Sequence, residues 1–233
     1  MRHPSQNGNV LFIILIGIVL FAGLMYAFTE SSQNSFSNLD REQAQIVATD
    51  ILNYSQKVEG GVQRLLAKGC SELDISFENS ISTTDYTNVN STPGEYDCHV
   101  FHPEGAGLTY VAPPANSGTG TEWVFSSGNG VTGIGNITYS CVDPECLDYL
   151  IILKDVNEQV CKVINYLGKV NENTNGDIPL DQNDYSDDAY TGTTPLNKRV
   201  IIDGDEKLAY KNTGCFESET RGGYHFYHVL IAR

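Results

Sequence analysis

The sequence predicts an α+β protein in which a long N-terminal helix, made of a membrane span and its amphipathic continuation, packs on a disulfide-stapled, mainly antiparallel β head carrying one further short helix. Three observations predict it. Val10 to Phe28 contains no charge; apolar residues recur at helical spacing from Ala44 to Leu66; and all six cysteines follow residue 69, among short runs of alternating polarity broken by turn residues. The implied layout is a leader (1–8), a transmembrane helix (9–28), a linker with an amphipathic stalk helix (29–68) and an extracytoplasmic head (69–233).

At about 1.5 Å rise per residue, Val10–Phe28 would be roughly 28 Å long, close to the ~30 Å hydrocarbon core of a bilayer. It outruns a secretory h-region, which is about 7 to 15 residues, and it ends in Met25-Tyr26-Ala27, a poor cleavage site, so an uncleaved anchor is expected. It is apolar all round, whereas a globular helix shows a stripe. Arg2 and His3 precede it and Glu30 and Asp40 follow it. That asymmetry keeps the N-terminus in the cytoplasm and puts the rest in the periplasm or on the cell surface.

The leader MRHPSQNG, ending at Gly8, followed by Val10-Leu11-Phe12-Ile13-Ile14, resembles the N-terminus of type IV pilins and type II secretion pseudopilins. The resemblance covers roughly the first 65 residues. It implies processing between Gly8 and Asn9, and a hydrophobic helix that is first a membrane anchor and then a filament core. Asn9 stands where the family usually has phenylalanine, and Ile13 where it usually has glutamate, a departure reminiscent of tip-type minor pseudopilins. Gly17, Ala22, Gly23 and Ala27 are the small residues that would let such helices approach one another.

Thr29 to Asn38 is polar and shows no stripe. Ser37 and Asp40 then mark a helix start, and Ala44, Val47, Ala48, Ile51, Tyr54, Val58, Val62, Leu65 and Leu66 describe one face of an amphipathic helix over about Leu39–Lys68. Gly60-Gly61 should weaken or bend it and Gly69 should end it. In the head, Leu73–Phe77, Tyr96–Phe101 and Leu108–Val111 read as strands. Glu122–Ser126 and Val131–Ile134 read as a hairpin around Gly128-Asn129-Gly130 that includes Trp123, the single tryptophan, expected in the core. Asp148–Leu153 reads as a strand, and Asp155 with Glu158 as the start of a helix that Gly168 closes. Arg199–Ile202 and Lys207–Lys211 suggest a second hairpin, and Tyr224–Ile231 a β-prone final strand.

The formal net charge of −15 argues against binding nucleic acid or anionic lipid through a basic face. Cys70, Cys98, Cys141, Cys146, Cys161 and Cys215, even in number and without a CxxC pair, fit disulfides in an oxidising compartment better than a metal site, with fifteen full pairings open. Asn171–Thr194 is an acidic insertion. Its Asp181, Asn183, Asp184, Asp187 and Asp188 are the candidate calcium ligands, although the spacing lacks the glycine and closing glutamate of an EF-hand, and a solvated loop is the stronger expectation. His225 and His228 differ by an odd number, as do His99 and His102, so on strands neither pair shares a metal. No Gly-x-Ser-x-Gly, P-loop, dinucleotide or His-Glu-x-x-His signature is present.

These readings converge on a non-catalytic pilin-like or minor pseudopilin-like subunit that associates with its own kind or with other pilin-like subunits. The alternative is a single-pass anchored periplasmic or surface domain that binds a ligand or partner without polymerising.

Overall fold

The computed structural model describes residues 8–135, 147–193, 197–201 and 204–233, and within the first helix the side chains of residues 14–20 and from 41 onward. The chain divides into two compact units, one ending at Gln43 and one running from Ala44 to Arg233. Helix α1 is Gly8–Lys68. In the first unit the side chains of Ile14, Leu15, Ile16, Ile18, Val19 and Leu20 are all exposed, by 43–64%.

The second unit is mostly β. Its strands are β1 (Trp123–Val131), β2 (Asp148–Val156), β3 (Leu180–Asp181), β4 (Arg199–Ile201), β5 (Thr213–Ser218) and β6 (Tyr224–Ile231), with helix α2 (Glu158–Leu167) between β2 and β3. They form one sheet in the order β3-β5-β6-β2-β1-β4. The pairings β1–β2, β2–β6 and β5–β6 are antiparallel, while the edge pairings β1–β4 and β3–β5 are parallel. Asn183, just past β3, donates its side-chain amide to the Val200 carbonyl on β4 at 3.3 Å. The two edges are thereby drawn together into a nearly closed, barrel-like sheet.

Strand periodicity sorts the core into two faces. Val124, Leu150, Ile152, Phe216, Tyr227 and Val229 point to the inner face, with Tyr185, Ile201 and Leu208. Phe125, Ile151, Leu153, Phe226 and Cys215 point to the outer face, which is covered by α2 and by the α1 stripe Ala44, Val47, Ala48, Ile51, Val58, Val62 and Leu65. With both faces covered, β2 reads DYLIILKDV, a nearly continuous apolar run of the kind a doubly buried strand requires. Burying each large apolar side chain contributes about 1.5–3 kcal/mol, so the stripe is a major attachment of residues 44–68 to the sheet.

The expected fold class is corrected. Among the described residues no helix is long and apolar enough to cross a membrane, so the membrane-spanning part of the expectation does not stand. The body is a nearly closed, barrel-like sheet, antiparallel in its three long central pairings and parallel at both edges. Thr29–Asn38 is helical, with no linker before Leu39, because the flanking segments already supply the costly helix nucleus. The helix runs through Gly60-Gly61 and stops at Lys68, just before Gly69. A Cβ at Gly61 would meet Leu108 Cδ1 at 2.6 Å, so this glycine lets the loop above it sit against the helix.

Both expected hairpins are also corrected. Residues 123–131 are one strand: the Gly128-Asn129-Gly130 segment shifts register against β2 between Ser126 and Asn129 instead of turning. Buried Asn129 holds it there, donating to the Ser186 carbonyl at 2.7 Å and accepting from the Ser186 N–H at 2.7 Å. Val200 and Ile201 pair in parallel with β1, so Lys207–Lys211 has no strand partner there and forms turns. Leu73–Phe77 and Tyr96–Phe101 contribute a 3-10 turn at Glu72–Asp74 and a single bridge, Ser76 to His99; Leu108–Val111 forms no strand. Helix α2 is capped by Asn157, whose side chain accepts from Gln159 N at 2.9 Å, and Asp155 instead takes φ 50° just outside it.

Candidate functional site

Among the described residues, a dense polar constellation gathers where the β5–β6 turn meets the acidic loop. The turn needs positive φ at Gly222 and Gly223, a conformation glycine adopts without strain, and it projects Arg221 over the loop. Arg221 Nε donates to Asp184 at 2.8 Å, its NH2 to the Tyr185 carbonyl at 3.0 Å, and its NH1 lies 3.0 Å from Asp187. The guanidinium also lies 4.6 Å from the centre of the Tyr185 ring. Lys154, at the end of β2, bonds the other oxygen of Asp187 at 3.0 Å. Burial raises the Asp187 pKa, but the bonds from Arg221 and Lys154 outweigh it and hold the carboxyl below its ordinary range.

His225 lies beneath this network. Its Nε2 faces the Gly222 carbonyl at 3.0 Å, so Nε2 carries the proton and Nδ1 is the acceptor, receiving the Asp155 N–H at 3.3 Å with Tyr185 Oη also 3.3 Å away. Burial pushes its pKa below the ordinary value despite the carbonyl partner. Both ring nitrogens are engaged within the fold, so His225 fixes the turn.

The candidate calcium ligands are thus distributed among other partners. Asp184 and Asp187 pair with Arg221, and Asp188 accepts from Asn197 at 2.8 Å. Asp181 is fully buried and accepts from the Asn183 N–H at 3.2 Å. Among the described residues no three His, Cys, Asp or Glu side chains gather as a metal-binding group. His225 and His228 do point to opposite faces of β6, His228 Nε2 meeting Glu59 of α1 at 2.9 Å. The strand argument fails for His99 and His102, which occupy a turn with ring centres 6.5 Å apart.

Sequence reasoning missed Arg221 and Lys154, which carry no motif; the sole signal was a lone arginine beside Gly-Gly next to a β-prone run. It also missed Glu122, whose carboxylate accepts from the Thr83 N–H and from the hydroxyls of Ser82, Thr83 and Thr84. Those bonds, the Thr83 N–H foremost, hold its pKa at about 2.

Among the described residues two disulfides are formed, Cys70–Cys98 and Cys161–Cys215, the second tying α2 to β5. Cys141 and Cys146 lie outside the described residues. In the N-terminal unit, Gly8 opens α1, and a Cβ at Gly17 would meet nothing within 4 Å. The side chains of Asn9, Ala22, Gly23 and Ala27 lie outside the description, as does most of the Val10–Phe28 run.

Compared with family models, with curated proteins and with solved structures, the chain matches none.

Proposed function

We propose that this protein is a non-catalytic, pilin-like subunit that assembles with other helices of its own kind through the N-terminal part of α1. The observation that carries the reading is the run Ile14–Leu20, where six apolar side chains are exposed around the helix and the space beside Gly17 is open. Exposed apolar surface on this scale marks an interaction site. Helices from further copies, approaching at Gly17, supply an apolar cover of matching shape. The leader ending at Gly8 agrees with this reading, because removing it would start the chain on the assembling helix. The two disulfides support an oxidising compartment, the periplasm or the cell surface. The polar groups of the Arg221 cluster are spent on holding the fold together, which favours a structural role over catalysis.

The test is the intact mass and N-terminal sequence of the natively expressed protein, with cross-linking of wild type and Gly17→Leu. A chain beginning at Asn9, and cross-linked oligomers that Gly17→Leu reduces while the melting temperature of the head stays unchanged, are expected. A chain beginning at Met1 with no oligomers in wild type would overturn the proposal.

A further inference from the structure

The turn from Tyr96 to Ala106 contains an imidazole that the fold does not explain. His99 is 4% exposed, and its Nε2 is buried with no hydrogen-bond partner. A buried polar atom left in this way costs about 1–3 kcal/mol and calls for a partner. The backbone around it is fixed. Cys98 is tied to Cys70, the His99 N–H donates to the Tyr96 carbonyl, and the Ala106 N–H donates to the His99 carbonyl at 2.9 Å. Gly105 packs so tightly against the His99 carbonyl that no side chain fits there. The main chain that carries His99 is therefore held in place.

A second imidazole stands beside it. The His102 ring lies 6.5 Å from that of His99, at 71° to it, and stacks on Tyr96 at 4.1 Å. His102 Nδ1 accepts a long, 3.3 Å bond from the Glu104 N–H, which keeps a lone pair on that nitrogen.

We infer that His99 and His102 form a two-imidazole site for a divalent first-row transition-metal ion such as Zn2+. Two imidazoles on one ion, with metal–nitrogen distances of about 2.0–2.1 Å, bring their ring centres to roughly 5–6 Å. The observed separation closes by rotation of His102, the less buried ring, at the expense of its long bond to Glu104. Imidazole suits zinc, copper and nickel, and not the hard cations expected of an acidic loop. Since no third His, Cys, Asp or Glu side chain completes a set among the described residues, water fills the remaining positions and the ion exchanges readily. Binding clips the Tyr96–Ala106 turn beside the Cys70–Cys98 disulfide.

The experiment is a calorimetric Zn2+ titration of the untagged full chain in non-ionic detergent, with His3→Gln removing the remaining imidazole near the N-terminus, alongside NMR of the histidine rings. One site per chain is expected, with the ring signals of His99 and His102 shifting first and His102→Gln weakening binding by about tenfold or more. Asp187→Asn leaves the affinity unchanged. The inference is overturned if no heat of binding appears up to millimolar Zn2+, if His102→Gln binds as tightly as its parent, or if Asp187→Asn is the variant that weakens binding.

Discussion

Replacing both members of the Cys161–Cys215 disulfide by alanine is expected to destabilise the body more than the same change at Cys70–Cys98. Cross-linking removes loop-closure entropy from the unfolded chain, more for longer loops. The Cys161–Cys215 link closes a separation of 54 residues and Cys70–Cys98 one of 28. The chain-entropy relation gives about 4 kcal/mol for the first and about 3.5 kcal/mol for the second. Packing widens the gap. Cys161 and Cys215 are fully buried on the outer face of the sheet, so their removal leaves cavities, whereas Cys70 is only partly buried. For a body of this size about 2–4 °C of Tm accompanies each kcal/mol, so Cys161→Ala/Cys215→Ala should melt roughly 8–16 °C lower. The assay is thermal unfolding followed by circular dichroism, together with thiol labelling after mild reduction under native conditions. Mild reductant should open Cys70–Cys98 first. A Tm loss under 3 °C for the Cys161–Cys215 variant, or equal labelling of all four cysteines, would refute the reasoning.

Two further outcomes follow from buried groups and from paired glycines. Asp148 is fully buried, and burial pushes its carboxyl up to about 7 even though the N–H groups of Val131 and Arg233 donate to it at 3.0 Å. A carboxyl raised in the folded state contributes stability that is present at low pH and lost as pH rises towards 7. At 1.36 kcal/mol per unit, stability should fall by roughly 2–3 kcal/mol from pH 5 to pH 7 through this group. His225 and His228, both lowered by burial, act in the opposite sense, losing stability as pH falls below their unfolded value. The decisive comparison is therefore Asp148→Asn against wild type in urea unfolding at the two pH values; a difference that does not change between pH 5 and 7 would contradict the assignment. On α1, Gly60 faces open space while Gly61 faces Leu108. Gly60→Ala should stabilise by about 0.5–1 kcal/mol through helix propensity, and Gly61→Val should destabilise by about 1–3 kcal/mol through overpacking. Equal effects of the two in chemical denaturation would show that the loop does not rest on Gly61.

Periodic elements were legible and close encounters were not. The stripe from Ala44 to Leu65 is visible because a 3.6-residue repeat survives in any tertiary setting, and β2 and β6 stand out because doubly covered strands must be apolar. Gly128-Asn129-Gly130 carries the local chemistry of a tight turn and lies instead within a buried strand, at a shift of register, because Ser186, fifty-seven residues away, satisfies Asn129. Arg221 shows the same limit at the candidate site. Nothing local distinguishes it from a surface arginine until Asp184, Asp187 and Tyr185 are brought to it.

By itself the sequence determined the apolar stripe of α1, helix α2, strands β2 and β6, the burial of Trp123, the net negative charge and the stapling of the head by disulfides. These follow from composition and from repeats of two and 3.6 residues, which act over one or two turns of chain. The tertiary structure decided which cysteines pair, which edges of the sheet run parallel, which carboxylates meet Arg221 and which imidazoles stand together in the Tyr96–Ala106 turn. Each of those depends on contacts between residues far apart in the chain, and such contacts are fixed by how the elements pack and leave no local pattern of their own.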